Sequence, residues 1–109
     1  MKFINLTPHE INIYEGDKLV KTVPASGKVA RREQREEVLG KVDGITITEQ
    51  FFYGTSGVPS QKEGIAYIVS RIVAEAFTFR DDLYIPGPMV RDENGRVIGC
   101  QGLSKTRKR

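Results

Sequence analysis

Apolar positions along this chain recur mostly with a period of two, which predicts strands. Lys2–Leu6 (KFINL) and Glu10–Tyr14 (EINIY) read as short strands separated by a Thr7-Pro8-His9 corner. In the second, Ile11 and Ile13 share one face and Asn12 takes the other. Glu15–Lys18 (EGDK) is a hairpin turn signal, and Leu19–Val23 returns from it. Pro24–Gly27 interrupts the alternation, and Lys28–Arg32 resumes it with Val29 among polar neighbours. Arg32–Glu37 (REQREE) has mixed charge and no apolar face, which predicts an exposed loop or a strand edge blunted by charge. Asp43-Gly44 between two alternating runs is among the stronger local hairpin signals. Phe51–Ser60 starts apolar and ends rich in Gly, Ser and Pro, the composition of a ligand-facing or partner-facing loop.

The period changes at Gly64. Ile65–Val69 is a continuous apolar run, as expected of a central strand buried on both faces. Ser70 is placed to cap a short helix from Arg71 to about Thr78, with Ile72, Val73, Ala76 and Phe77 on its apolar face. Glu75 comes too late to complete a capping box. Arg80–Pro88 reads as a polar corner followed by a proline-limited extended segment. Met89–Gly99 reads as a closing hairpin around Glu93-Asn94-Gly95. The fold expected is α+β: mostly antiparallel hairpins in one sheet or a small barrel, with one short helix. Residues 1–103 are expected to form a single domain, followed by a basic tail over 104–109.

Composition narrows the picture. A content of 39% hydrophobic and 28% charged residues belongs to a globular, water-soluble domain. The lone Cys100 excludes an intrachain disulfide and a multi-cysteine zinc site, and fits a cytoplasmic setting. Met1-Lys2 leads straight into a strand pattern, so no signal peptide is expected, and the longest apolar-rich run is too short and polar to span a membrane. The net charge of +3 comes from the end of the chain. Taking Lys105, Arg107, Lys108 and Arg109 from the 17 basic residues leaves 13 against 14 acidic ones. Such a tail can touch nucleic acid, but a solvated terminus is the simpler expectation.

Three spots carry candidate chemistry. His9 is the only histidine; Glu10 beside it would point to the other face of a strand. Thr7 and His9 therefore either satisfy the backbone of the proline corner or face a ligand. Catalysis would require an Asp of the 81–92 region to reach His9 in the fold. Ser70 and Arg71 stand where a buried strand would feed a helix N-terminus, where a hydroxyl, backbone amides and a guanidinium fork suit an anion. No Gly-rich loop accompanies them, so this is neither a P-loop nor a dinucleotide fingerprint. Arg80, Asp81 and Asp82 form a corner whose adjacent carboxylates suit a cation or an acid/base pair, or else pair with Arg80, cap a turn or contact a partner, with Tyr84 and Pro86 following as interface candidates. Weaker signals are Ala25–Lys28, a turn able to form a backbone anion nest with Lys28 and Arg31, and Thr55–Gly57. Cys100 is expected to be a small buried hydrophobe.

The blocks LTPHEI (Leu6–Ile11), PASGKVAR (Pro24–Arg31), YIVSRIVAEAF (Tyr67–Phe77) and RDDLYIPGPMVRDENGRVIGC (Arg80–Cys100) resemble a family of small, largely uncharacterised phage, prophage and bacterial proteins. The match spans most of the chain, with residues 32–52 least constrained. The resemblance implies a setting more than a mechanism: a phage or mobile-element accessory protein in the host cytoplasm, a class that often counters host defences. The leading expectation is a homo-oligomeric binding protein without cofactor, metal or catalysis. It would hold an anionic small molecule, such as a nucleotide second messenger, through Thr7, His9, Ser70, Arg71 and Arg80, with Phe52, Tyr53, Tyr67 or Tyr84 stacking a base. The rivals are a protein–protein inhibitor or adaptor that docks a host defence protein through Asp82, Tyr84 and Pro86, a small nucleotide-cleaving hydrolase using His9, and a nucleic-acid binder using the tail.

Overall fold

The structure, a computed structural model, describes residues 1–77 and 79–106. Among these the chain forms ten strands and a single short helix. The strands are β1 (Lys2–Asn5), β2 (Ile11–Glu15), β3 (Lys18–Val23), β4 (Arg31–Val42), β5 (Ile45–Ser56), β6 (Ile65–Ile68), β7 (Leu83–Pro86), β8 (Met89–Arg91), β9 (Val97–Gln101) and β10 (Leu103–Ser104); α1 is Arg71–Ala74. The hairpin turns lie where the sequence places them. Gly16-Asp17 joins β2 to β3, and Asp43-Gly44 joins β4 to β5 with both residues at positive φ, as a tight two-residue turn requires. At the β8–β9 turn the Asp92 carboxylate accepts the backbone N–H groups of Asn94 and Arg96.

The pairing differs from a set of hairpins in one sheet or barrel. A first sheet has the order β1-β6-β7-β10, a second the order β3-β2-β9-β8, and β4 pairs only with β5. Neither four-stranded sheet is all antiparallel: β1 runs parallel to β6, β6 to β7, and β2 to β9. These parallel partners lie far apart in sequence, where turn signals carry no information. What joins them is burial. Strand β6 sits between two neighbours with both faces covered, which explains its uninterrupted apolar run. Ile65 and Tyr67 face one core, with Leu6, Val69, Val73, Leu83 and Ile85. Ile68 faces the other, with Ile11, Ile13, Val23 and Cys100 of the second sheet. The first sheet is thus the middle of three layers, with α1 on one side and the second sheet on the other.

Helix α1 is one turn long rather than reaching Thr78, which lies outside the described residues. After Ala74 the chain tightens: Ala76 N–H and Phe77 N–H donate to the carbonyls three residues back. The buried face is Val73 and Ala74, with Phe77 packed against the same core, while Ile72 is exposed. Ser70 precedes the helix but its hydroxyl makes no capping bond. The body also runs past the expected boundary at Leu103: Ser104 pairs with Ile85, and the Lys105 ammonium lies 4.9 Å from the Tyr84 ring centre. Arg107, Lys108 and Arg109 lie outside the described residues.

Two buried polar contacts hold this arrangement. Asn5, at the end of β1, is 1% exposed and satisfied on every side. Its amide donates to the carbonyls of His9 (2.8 Å) and Val23 (3.2 Å). Its oxygen accepts the Thr7 N–H (2.9 Å) and the Thr7 hydroxyl (2.6 Å). One side chain therefore links β1, the proline corner and the end of β3. The second contact is a fork between Arg80 and Asp82, at 2.9 and 2.7 Å, with the guanidinium also donating to Pro59 C=O at 2.8 Å. The Arg80 guanidinium stands 5.5 Å from the Phe77 ring centre. The Asp82 hydrogen bond, partly opposed by burial, raises Arg80 above its ordinary pKa, so the cation is permanent.

Asn5→Ala is expected to lower unfolding free energy by about 2–4 kcal/mol, since it strands a buried carbonyl and an N–H. Asn5→Asp should be at least as damaging at neutral pH, because it sets a carboxylate against two carbonyl oxygens. Urea unfolding of both variants checks this. Asp82→Ala is expected to cost about 1.5–3 kcal/mol by removing the charged hydrogen bonds of the partly buried Arg80, which keeps Pro59 C=O, and the double change Arg80→Met with Asp82→Leu should recover most of the loss.

Candidate functional site

A groove of about 900 Å³ opens at the seam between the two sheets, within the roughly 300–1,000 Å³ range of small-molecule sites. Four segments meet there. The start of β2 brings His9, Glu10 and Asn12; the β6–α1 junction brings Ser70 and Arg71; the β7–β8 crossover brings Pro86, Gly87 and Pro88; and β9 forms the far wall with Ile98, Gly99 and Cys100.

The groove exists because the chain crosses between sheets twice at one place. It leaves the first sheet after β7 through Gly87-Pro88, and returns to it after β9 through Gly102. The two crossings bond to each other, Gly87 N–H to Gly102 C=O (3.2 Å) and Gln101 N–H to Pro88 C=O (2.8 Å). A Cβ on Gly87 would fall 1.8 Å from the Gln101 carbonyl oxygen, and one on Gly99 2.4 Å from the Asn12 carbonyl oxygen. Only glycine lets these backbones approach so closely.

The polar lining of the groove joins two parts of the sequence: His9, Glu10 and Asn12 from one, Ser70 and Arg71 from the other, with Ser104 beside them. Among the described residues the His9 imidazole has no hydrogen-bond partner; it is the His9 carbonyl that serves the corner, accepting from the Asn5 amide. The corner is thus held by Asn5 and Thr7, which leaves the ring free to face the groove. Arg71 approaches Glu75 at 3.8 Å with both side chains more than half exposed, a weak contact that leaves the guanidinium available. A one-turn helix has little dipole, so attraction for an anion here comes from the Arg71 charge rather than from the helix. The remaining wall is largely apolar, built from Ile11, Ile85, Met89, Val97 and Ile98.

The other expected residues lie elsewhere. Thr7 sits behind the groove, in the Asn5 network. Arg80 is not in the groove; Asp82 and Pro59 occupy its donors. Asp82, expected at an interface, is only 6% exposed and faces Arg80. Tyr84 is half-buried, edge-on to Phe3 at 5.3 Å and covered by Lys105. Pro86, expected at an interface, lines the groove instead. None of the aromatics expected to stack a base lines the groove: Tyr67 is in the core, and Phe52 and Tyr53 lie on the long hairpin. In the Ala25–Lys28 turn the Ser26 N–H donates to Asn5 C=O and the Lys28 N–H to the Ser26 hydroxyl.

Asn5 and the two wall glycines are what sequence reasoning missed. An asparagine ending a strand before Thr-Pro is a usable signal for a corner bridge; the glycines carried none, since their role depends on segments distant in sequence. Among the described residues no three His, Cys, Asp or Glu side chains stand close enough to share a metal ion, and no helix is long and apolar enough to cross a membrane.

Cys100 forms part of the back wall. Its thiol is buried and donates to Gly102 C=O at 3.3 Å. Burial pushes its pKa up, partly offset by the Gly87 N–H. A raised acid pKa stabilises the fold below the unfolded thiol's value, about 8.5, and that stabilisation is lost as pH rises through the folded value. The stability advantage of the native chain over Cys100→Ala is therefore expected to narrow above about pH 8.5, measured by urea unfolding at stepped pH. A gap that stays constant to pH 10 would contradict the burial of this thiol.

Comparison of the chain with protein-family models, with curated proteins and with solved structures finds no match.

Proposed function

We propose that this chain captures a small anionic ligand of the nucleotide class in the seam groove and releases it unchanged. In this reading it is a phage or mobile-element accessory protein that works as a homo-oligomer in the host cytoplasm and sequesters a nucleotide second messenger of a defence system. The observation that supports it is that His9, Ser70 and Arg71 line one largely apolar groove, in which Glu10 is the acidic lining residue. Arg71 offers a planar fork to a phosphate, and Ser70 and His9 offer further donors. The apolar wall of Ile11, Ile85 and Ile98 takes the base and sugar by aliphatic contact instead of aromatic stacking. The sequence resemblance suggests the setting, and the Arg71 cation beside apolar lining is what supports an anionic small ligand.

Mass spectrometry of the natively purified protein after gentle denaturation, with a thermal-shift panel of mono-, di- and cyclic nucleotides, tests this. The expected result is an intact nucleotide and a stabilisation of about 2.7 kcal/mol at a hundredfold excess over Kd. Arg71→Glu should weaken binding at least tenfold, while Lys21→Glu, on the exposed strand β3, should leave it unchanged. Nucleotide recovered in cleaved form would replace capture by hydrolysis. No shift across the panel would overturn the nucleotide assignment.

A further inference from the structure

The β4–β5 hairpin is built unlike the rest of the molecule. Each strand has twelve residues, about 40 Å at roughly 3.4 Å per residue. Residues 34–53 are all exposed. The radius of gyration is 16.8 Å, against about 13 Å for a compact chain of this length. An isolated two-stranded ribbon is marginal in water, yet this one displays large apolar side chains. Ile45, Ile47 and Phe51 alternate along β5 and so share one face; Val42, paired with Ile45, joins them. Val42 and Ile45 are 65% and 64% exposed.

Charge along the arm is divided in two. The base, residues 31–35, carries three arginines and one glutamate, a net +2. The distal part, residues 36–50, carries Glu36, Glu37, Asp43 and Glu49 against Lys41, a net −3. Glu37 and Glu49 face each other across the strands, a like-charge pair that weakens a lone hairpin. Among the described residues, the ion pair of the arm within one copy joins Glu37 to Arg35 at 3.0 Å.

We propose that the arm packs against the arm of a second copy of this chain, antiparallel, about a two-fold axis near the Arg35–Glu36 change of sign. Each acidic half then lies on the other copy's basic half, and the Glu37–Glu49 pair meets Arg35 of that copy. Phe51, paired with Arg35, lies at the axis against its own counterpart, and the distal Val42, Ile45 and Ile47 lie over the base of the other arm, where Arg31 shares their face. Self-complementarity under a two-fold is what an isologous dimer requires. One face of the arm is about 40 by 10 Å. Its outline of about 400 Å² excludes side-chain relief, and a standard interface takes about 800 Å² from each partner. The inference rests on the homo-oligomeric part of the reading above and not on the ligand, so loss of either leaves the other standing.

Sedimentation velocity of the full chain from 1 to 100 μM tests it. A dimer is expected that loosens between 50 and 500 mM salt. Arg31→Glu with Arg35→Glu, and separately Glu37→Lys with Glu49→Lys, should each raise the dimer Kd at least tenfold, while an equimolar mixture of the two variants should dimerise again. Thermal melting and groove binding report whether each variant is folded; should one misfold, Ile47→Asp, a single change on the same face, takes its place. A wild-type chain that stays monomeric throughout would overturn the proposal and leave the arm to a different protein. Dimers indifferent to both charge reversals, or variants that fail to rescue each other, would overturn it equally.

Discussion

The junction of the two sheets depends on the amide of Asn5. It is a buried group with four hydrogen-bonding positions, all filled, at the one point where β1, the Thr7-Pro8-His9 corner and the end of β3 meet. Two sheets that share no strand need something to fix their relative position. Apolar packing between Phe3, Ile68 and Ile13 supplies attraction but little direction. A buried amide supplies direction, because a misplacement of even an ångström strands a polar group away from water.

The groove follows from the same placement. Because β1 and β2 are joined by a corner rather than a hairpin, β2 departs into the second sheet and carries His9 to its edge. The β7–β8 and β9–β10 crossings close the other side, held together by glycines that allow direct backbone contact. The site is therefore made of segment ends brought together by two sheets, with a rigid wall behind it. That construction explains why Arg71 is free there while Arg80, of the same residue type, is consumed in the structure: one stands at the mouth of the seam and the other under a loop with Asp82.

The arm is governed by the opposite balance. It has regular pairing and an ideal turn, yet no core covers it. Hydrogen bonding along the ribbon accounts for its shape but not for its persistence, since such bonds add little net stability in water. Its exposed isoleucines and its divided charge make sense in contact with another surface.

The sequence by itself determined the local elements: the turns at Gly16-Asp17, Asp43-Gly44 and Glu93–Gly95, the buried strand at Ile65–Ile68, and the place of the helix start. Each is written within a few residues, through positive-φ turns or the period of apolar positions. It also marked His9, Ser70 and Arg71 as polar residues at element ends. It did not show that they share a groove, that Arg80 and Asp82 neutralise each other, or that REQREE is half of a long arm. Those outcomes belong to tertiary structure. Parallel pairing, crossover contacts and ion pairs across a fold join residues whose distance in sequence is large, and their energies appear only once the core has brought them together and excluded water.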